Sequence, residues 1–106
     1  MRWLASAATL GIVSDGTLFL VYAEDGARLV YAGDDPGEYE RTCTALAAAY
    51  AGSLVGRRRV GAEMWVVRAF LREEPSPAFI ARRRENFPYG LTWEPSPLAG
   101  AEEPAT

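Results

Sequence analysis

The chain has 106 residues, of which 49% are hydrophobic and 24% charged, and this composition is typical of one globular domain. It contains no histidine, and all 11 basic residues are arginines, which excludes Ser-His-Asp and Cys-His nucleophile sites, histidine-bound metals and lysine-dependent phosphate loops. The single cysteine, Cys43, excludes an internal disulfide and a Cys-x-x-Cys redox pair. We therefore expect a cytoplasmic protein that has no metal, cofactor or membrane segment, and for which binding is favoured over enzymatic activity.

The net charge of −3 is unevenly distributed along the chain. Residues 1–40 carry two arginines and seven acidic residues, residues 41–93 carry nine arginines and four acidic residues, and residues 94–106 carry three acidic residues and no base. Regions of opposite charge give the surface local potentials that the total charge hides. The composition changes to Pro, Ala, Gly and Glu after Trp93. This change predicts a single domain over residues 1–93 and a flexible acidic tail over residues 94–106.

Two Asp-Gly pairs, at 15–16 and 25–26, separate three strand-like runs in the first third of the chain. An Asp-Gly pair between apolar runs is a strong hairpin signal, so the pattern predicts a three-stranded antiparallel meander. Its strands are residues 9–13, 17–23 and 28–32. A cleaved signal peptide is the alternative for the first residues, and it is disfavoured because its small residues precede most of the apolar ones.

The pattern changes to a helical period at Asp35, where an N-cap residue is followed by Pro36 and by a capping-box carboxylate at Glu38. Apolar residues spaced three and four apart predict an amphipathic helix over residues 36–51. Capping is favoured over a cation site for the acidic residues here, and Cys43 is interpreted as a core residue with an inert thiol. Residues 57–59, three consecutive arginines, are interpreted as an exposed connection.

A second strand region is predicted from about Val60 to Arg72, with Met64, Val66, Arg68 and Phe70 on one face and Trp65, Val67, Ala69 and Leu71 on the other. Ser76 and Pro77 repeat the combination of N-cap and proline. They predict a short helix to about Asn86, with Phe79, Ile80 and Phe87 on one side. The alternating aromatic residues of 87–93 are typical of an extended edge segment.

These elements predict an α+β fold. It has a small antiparallel sheet, a meander of about three strands plus one or two later strands, with one long amphipathic helix and one short helix. The strands lack the apolar-polar alternation of a sheet that exposes one face to solvent, so the apolar side chains on both faces must be covered. The long helix can cover one face. Either the C-terminal aromatic segment or another protein chain must cover the other.

A surplus of apolar sheet surface favours a non-catalytic protein-interaction module, acting as a homo-oligomer or as a subunit of a larger assembly. Interfaces are enriched in aromatic residues, methionine and arginine. The predicted interface residues are Met64, Val66, Arg68, Phe70, Phe87, Tyr89 and Trp93.

Nucleic-acid binding is the alternative function. Clustered arginines can contact phosphates while neighbouring aromatic side chains stack on bases, although the sequence pI of about 4.9 disfavours a dedicated nucleic-acid-binding protein. The candidate residues are Arg41, Arg57, Arg58, Arg59, Arg82, Arg83 and Arg84.

Two short stretches resemble known families, and neither identifies one. The run Leu18–Gly33 ends in Tyr31, Ala32 and Gly33, and an arginine, Arg41, follows eight residues later; this resembles the core of GIY-YIG nucleases. The resemblance implies a degenerate nuclease domain with Tyr22, Tyr31 and Arg41 as site residues. The same region together with Leu46–Gly56 is similar to roadblock/dynein-light-chain domains, and this similarity implies a dimerising adaptor.

Overall fold

The computed structural model describes residues 16–96, and within this range the protein is an α+β domain of five strands and two helices. The strands are β1 (Thr17–Ala23), β2 (Arg28–Gly33), β3 (Gly52–Val60), β4 (Glu63–Leu71) and β5 (Leu91–Pro95). The helices are α1 (Pro36–Ala47) and α2 (Pro77–Arg83), and a 3-10 turn (Arg84–Asn86) follows α2. No helix in the described range is long and apolar enough to span a membrane. The predicted strand over residues 9–13 and residues 97–106 of the predicted tail lie outside this range.

The strands form one mixed sheet in the order β2-β1-β4-β3-β5. The predicted hairpin of β1 and β2 is confirmed, but β1 pairs in parallel with β4, so the prediction of an antiparallel sheet is wrong at this point. β4 occupies the side of β1 that the meander assigned to residues 9–13. The sequence pattern missed this pairing because a parallel contact joins strands that are far apart in the chain.

β3 is the element that the sequence analysis did not predict. Helix α1 ends at Ala47, so the predicted end at residue 51 is wrong, and β3 begins at Gly52. The predicted basic connection, residues 57–59, lies within β3, which forms a hairpin with β4 through the turn at Gly61 (φ +63°) and Ala62. Five of the nine residues of β3 are glycine or arginine, which carry little strand propensity, so its sequence does not indicate a strand.

Both helices begin as the sequence predicts. The Asp35 carboxylate accepts from the Gly37 N–H (2.9 Å), and the Ser76 hydroxyl accepts from the Phe79 N–H (3.2 Å). The reciprocal bond of the capping box does not form, because the Asp35 N–H donates to the Tyr31 hydroxyl and Glu38 pairs instead with an arginine of α1. Each helix is therefore fixed at its first turn by a side chain and a proline.

The two helices pack on opposite faces of the sheet. On the face covered by α2, Trp65 and Phe87 belong to one apolar cluster, and on the face covered by α1, Val21, Tyr39 and Phe70 form another. The predicted division of β4 into two apolar faces is consistent with these clusters. Phe87 and Leu91 pack on the α2 face, so of the two predicted sources of cover, the C-terminal segment and another protein chain, the C-terminal segment covers part of this face. The surplus of exposed apolar surface is thus smaller than predicted.

Candidate binding cleft

A cleft of about 630 Å³ lies on the α1 face, between α1 and the edge strand β5. We call it the Arg68 cleft after the charged residue that lines it together with Ser53 and Phe70. Its other lining residues are Tyr39, Glu40, Cys43, Thr44, Ala47 and Ala48 of α1, and Glu94, Pro95 and Ser96 at the end of β5.

The strand register explains why polar residues meet in this cleft. Ser53 of β3 pairs with Phe70 of β4 on one side and with Glu94 of β5 on the other, so these three side chains share a face. Arg68 lies two residues before Phe70 and therefore has the same orientation. Tyr39 and Cys43 are four residues apart on α1 and lie one turn from each other on the helix face that packs against the sheet.

Arg68 is held by three side chains from three elements. Its Nε–H donates to the Tyr39 hydroxyl (2.9 Å), and its Nη1 donates to the Ser53 hydroxyl (2.9 Å) and to Glu94 Oε1 (3.1 Å). The guanidinium carbon also lies 5.6 Å from the centre of the Tyr39 ring, which adds a cation-π contact. The side chain of Arg68 is 19% exposed and that of Glu94 is 51% exposed, so the cation is mostly enclosed while its carboxylate partner faces solvent.

The Tyr39 hydroxyl and the Cys43 thiol stay neutral at ordinary pH. Burial raises the pKa of the Tyr39 hydroxyl and of the Cys43 thiol, and the charge of Arg68 offsets only part of each increase. A thiol with a raised pKa is a poor nucleophile, and a neutral phenol is a poor base. Cys43 is half-buried: it packs against the Val21, Tyr39 and Phe70 cluster and also lines the cleft, so it lies at the edge of the core and not within it.

The seven predicted interface residues are not brought together. Arg68 and Phe70 line the cleft, whereas Met64 and Val66 lie further toward the start of β4 on the same strand face. Phe87 and Trp93 belong to the core of the α2 face, and Tyr89 is 53% exposed in the turn before β5.

The predicted nucleic-acid residues are also spread over several surfaces. Arg57 and Arg59 are exposed on the α1 face of β3, and Arg58 points to the opposite face. The arginines of 82–84 are exposed on α2 and the turn after it, where Arg83 lies 4.8 Å from the Phe79 ring. Arg41 forms an ion pair with Glu38 (2.6 Å).

The residues that the GIY-YIG resemblance implies do not share one face. Tyr22 is buried in the cluster of the α2 face, while Tyr31 packs on the α1 face and accepts from the Asp35 N–H. Arg41 is exposed on α1. No group of three Cys, Asp or Glu residues is placed to hold a metal ion within residues 16–96.

The three residues that accept hydrogen bonds from Arg68 were absent from the sequence-based site. Tyr39 was assigned to the apolar stripe of the helix, Ser53 fell in the unpredicted strand β3, and Glu94 was assigned to the tail. An arginine at the centre of an apolar strand was the available signal, because a buried guanidinium requires acceptors from neighbouring elements.

Comparison with known proteins gives no relative for this chain: no family model, curated protein or solved structure matches it.

Proposed function

We propose that this protein is a non-catalytic protein-interaction module that binds an extended segment of a partner protein along β5, beside the Arg68 cleft. The observation that supports it is a cleft of about 630 Å³ lined by the end of an edge strand. A segment added to such an edge gains backbone hydrogen bonds from the strand and side-chain specificity from the cleft.

The hydrogen bonds of β5 indicate which of its backbone groups are available. The Gly90 carbonyl accepts from the Arg57 N–H (3.2 Å), and the Ser96 N–H donates to the Ala51 carbonyl (2.9 Å). Because bonding alternates along an antiparallel pair, the N–H and C=O groups of Leu91 and Trp93 point away from β3. An added strand would bond to these groups, and its alternate side chains would lie over the α1 face next to Glu94.

The opposite edge of the sheet is less suited to pairing. β2 contains a register shift at Val30, where the pairing moves from Val21–Tyr31 to Tyr22–Leu29. A bulge on an edge strand interrupts the row of backbone groups that a new strand needs. β5 is the more regular of the two edges, so the proposal places the partner there.

The proposal is tested by selecting peptides from a random 12-residue display library against the full chain and mapping their binding by amide hydrogen exchange. We expect protection of the Trp93 and Leu91 amides on binding, while the β2 amides are unchanged. Protection of β2 alone, or no enrichment of any peptide, would refute the proposal. Light scattering of the chain alone then distinguishes a monomer that binds partners from a homo-oligomer.

Nucleic-acid binding is a second candidate, supported by the exposure of Arg57 and Arg59 on one face of β3. If it is correct, affinity for single-stranded nucleic acid falls steeply with salt concentration. The double variant Arg57→Gln, Arg59→Gln, which removes about two phosphate contacts, should then reduce the slope of log affinity against log salt concentration by about two. The exposed Arg72, which pairs with Asp25 (2.7 Å), provides the control as Arg72→Gln. Equal slopes for both variants would refute this candidate.

A further inference from the structure

The guanidinium of Arg68 has donors that the described part of the chain does not use. Arginine has five N–H donors, and those of Nε and Nη1 are directed at Tyr39, Ser53 and Glu94. Within residues 16–96, no hydrogen bond involves Nη2. Nη2 is not among the buried unpaired polar atoms of the described residues, so its two donors are open to the cleft and can meet an acceptor that enters there.

We infer that the Arg68 cleft is a carboxylate-binding site, in which Nη2 of Arg68 donates to a carboxylate of the bound segment. The inference rests on the proposed function and specifies the chemistry of the partner at that site. The two N–H donors of Nη2 diverge, so a carboxylate gains one charge-assisted hydrogen bond from Nη2, roughly twice as strong as a neutral one. A second, parallel bond from Nη1 becomes available to it when it displaces Glu94.

Glu94 shows that this site accepts a carboxylate. Its Oε1 is 3.1 Å from Nη1, and the side chain is 51% exposed on an edge strand. Only the Glu94 end of this ion pair faces solvent, and such a partly buried pair contributes little net free energy, so an incoming carboxylate can share the guanidinium with Glu94 or replace it. Glu94 is thus an internal competitor. Its removal should strengthen binding of an anion and weaken binding of a cation.

Ser53 and Tyr39 orient the cation. The Ser53 side chain is buried at 1% exposure and accepts from Nη1, while Tyr39 accepts from Nε, so the guanidinium plane is held from two sides. A fixed guanidinium loses less entropy on binding than a mobile surface arginine does, because its rotamer is already set.

The test titrates sodium acetate at constant ionic strength into the ¹⁵N-labelled full chain and follows the Arg68 Nε–H and Ser53 amide signals. We expect saturable shifts in the millimolar range. The variant Glu94→Gln should bind acetate up to about fivefold more tightly, whereas Arg68→Gln should lose the saturable shifts. Arg72→Gln is the matched control and should behave as wild type, because Arg72 is exposed and pairs with Asp25.

Three outcomes would overturn the inference: linear shifts that are the same in Arg68→Gln, weaker acetate binding by Glu94→Gln, or binding that moves only signals on the α2 face. Because Glu94 is half exposed, Glu94→Gln remains informative if Arg68→Gln fails to fold.

Selected peptides separate this inference from the proposed function. The carboxylates of a peptide that binds along β5 can all be removed by amidating its C-terminus and replacing every Asp and Glu by Asn and Gln. If its affinity is then unchanged, the carboxylate site is refuted and the interaction module stands. If acetate saturates Arg68 but no peptide is enriched, the site stands and the interaction module is refuted. Comparing C-terminal amidation with side-chain replacement identifies the source of the carboxylate.

Discussion

The two faces of the sheet are built in opposite ways. The α2 face is apolar: it includes Trp65, Leu18 and Leu20, each at most 1% exposed, and its cavity has a volume of only about 240 Å³. The α1 face contains Arg68 and Ser53 and has the larger opening of about 630 Å³. One face thus resembles a domain core, whereas the other combines a smaller core with a polar cleft.

The two faces are therefore expected to contribute differently to the stability of the fold. Apolar burial contributes roughly 25 cal/mol per Å² and depends little on orientation. A partly buried charge with hydrogen-bonded partners contributes little net stability, because desolvation offsets the attraction, but it does fix geometry. We therefore expect substitutions on the α2 face to act on stability, and those around Arg68 to act on binding.

The largest effect on stability is expected for Trp65→Ala. Trp65 is fully buried on a central strand of the α2 face, and truncating such an aromatic side chain costs about 3–5 kcal/mol. Urea denaturation measures the loss in the free energy of unfolding. The exposed Tyr89 is the aromatic control, and Tyr89→Ala should change stability by less than about 0.5 kcal/mol. A loss below about 1 kcal/mol for Trp65→Ala would contradict the assignment of stability to this face.

A smaller loss is expected for Gly56→Ala. A Cβ at this position would lie 2.6 Å from Cγ and 2.9 Å from Cβ of Phe87, so the added methyl group must displace the segment that covers the α2 face. Overpacking of this kind costs about 1–3 kcal/mol. Gly37→Ala, at the start of α1, is the matched control, because its nearest contact would be 3.3 Å away. Equal urea midpoints for the two variants would show that Phe87 moves aside freely.

The helices were predictable from the sequence, and the sheet only in part. Asp35 and Ser76 predict where the two helices begin, because helix capping depends only on residues a few positions apart. The β1–β2 hairpin was equally local. The parallel pairing of β1 with β4 depends on contacts between residues more than 40 positions apart, such as Leu18 with Trp65, and no local pattern encodes it.

The cleft was less predictable than the fold. The prediction that Arg68 and Phe70 lie on the same face of one strand is confirmed, because alternation places residues two apart on the same side. Two hydrogen-bond partners of Arg68 come from residues that were not predicted to lie in strands: Ser53 of β3 and Glu94 of β5. A site assembled from three strands and a helix requires the order of the strands, which a single sequence does not display.

Alkaline pH should separate the two faces through their buried tyrosines. Burial raises the pKa of Tyr22 on the α2 face well above its ordinary value of about 10, whereas Arg68 offsets part of the increase for Tyr39. Because the pKa of each buried phenol is higher in the folded state than in the unfolded state, the contribution of that tyrosine to the free energy of unfolding is complete below about pH 10. This contribution is lost as the pH rises further. Each such tyrosine contributes at most about 1.4 kcal/mol per pH unit.

The measurement is the free energy of unfolding in urea from neutral pH to about pH 11. Tyr22→Phe should reduce the alkaline slope more than Tyr39→Phe does, because the pKa of Tyr39 is partly restored by its cation. An unchanged slope in Tyr22→Phe would show that other groups cause the alkaline loss.

The smallest effects are expected at the two helix caps, and they test whether the faces act independently. Asp35→Ala and Ser76→Ala each remove a side chain that accepts from a backbone N–H, at a cost of about 1 kcal/mol. The loss should be slightly larger for Asp35, because its carboxylate also interacts with the helix dipole. Of the two helices only α1 lines the Arg68 cleft, so Asp35→Ala should also weaken acetate binding, whereas Ser76→Ala should leave it unchanged. Equal weakening by both substitutions would mean that the faces are coupled through the sheet.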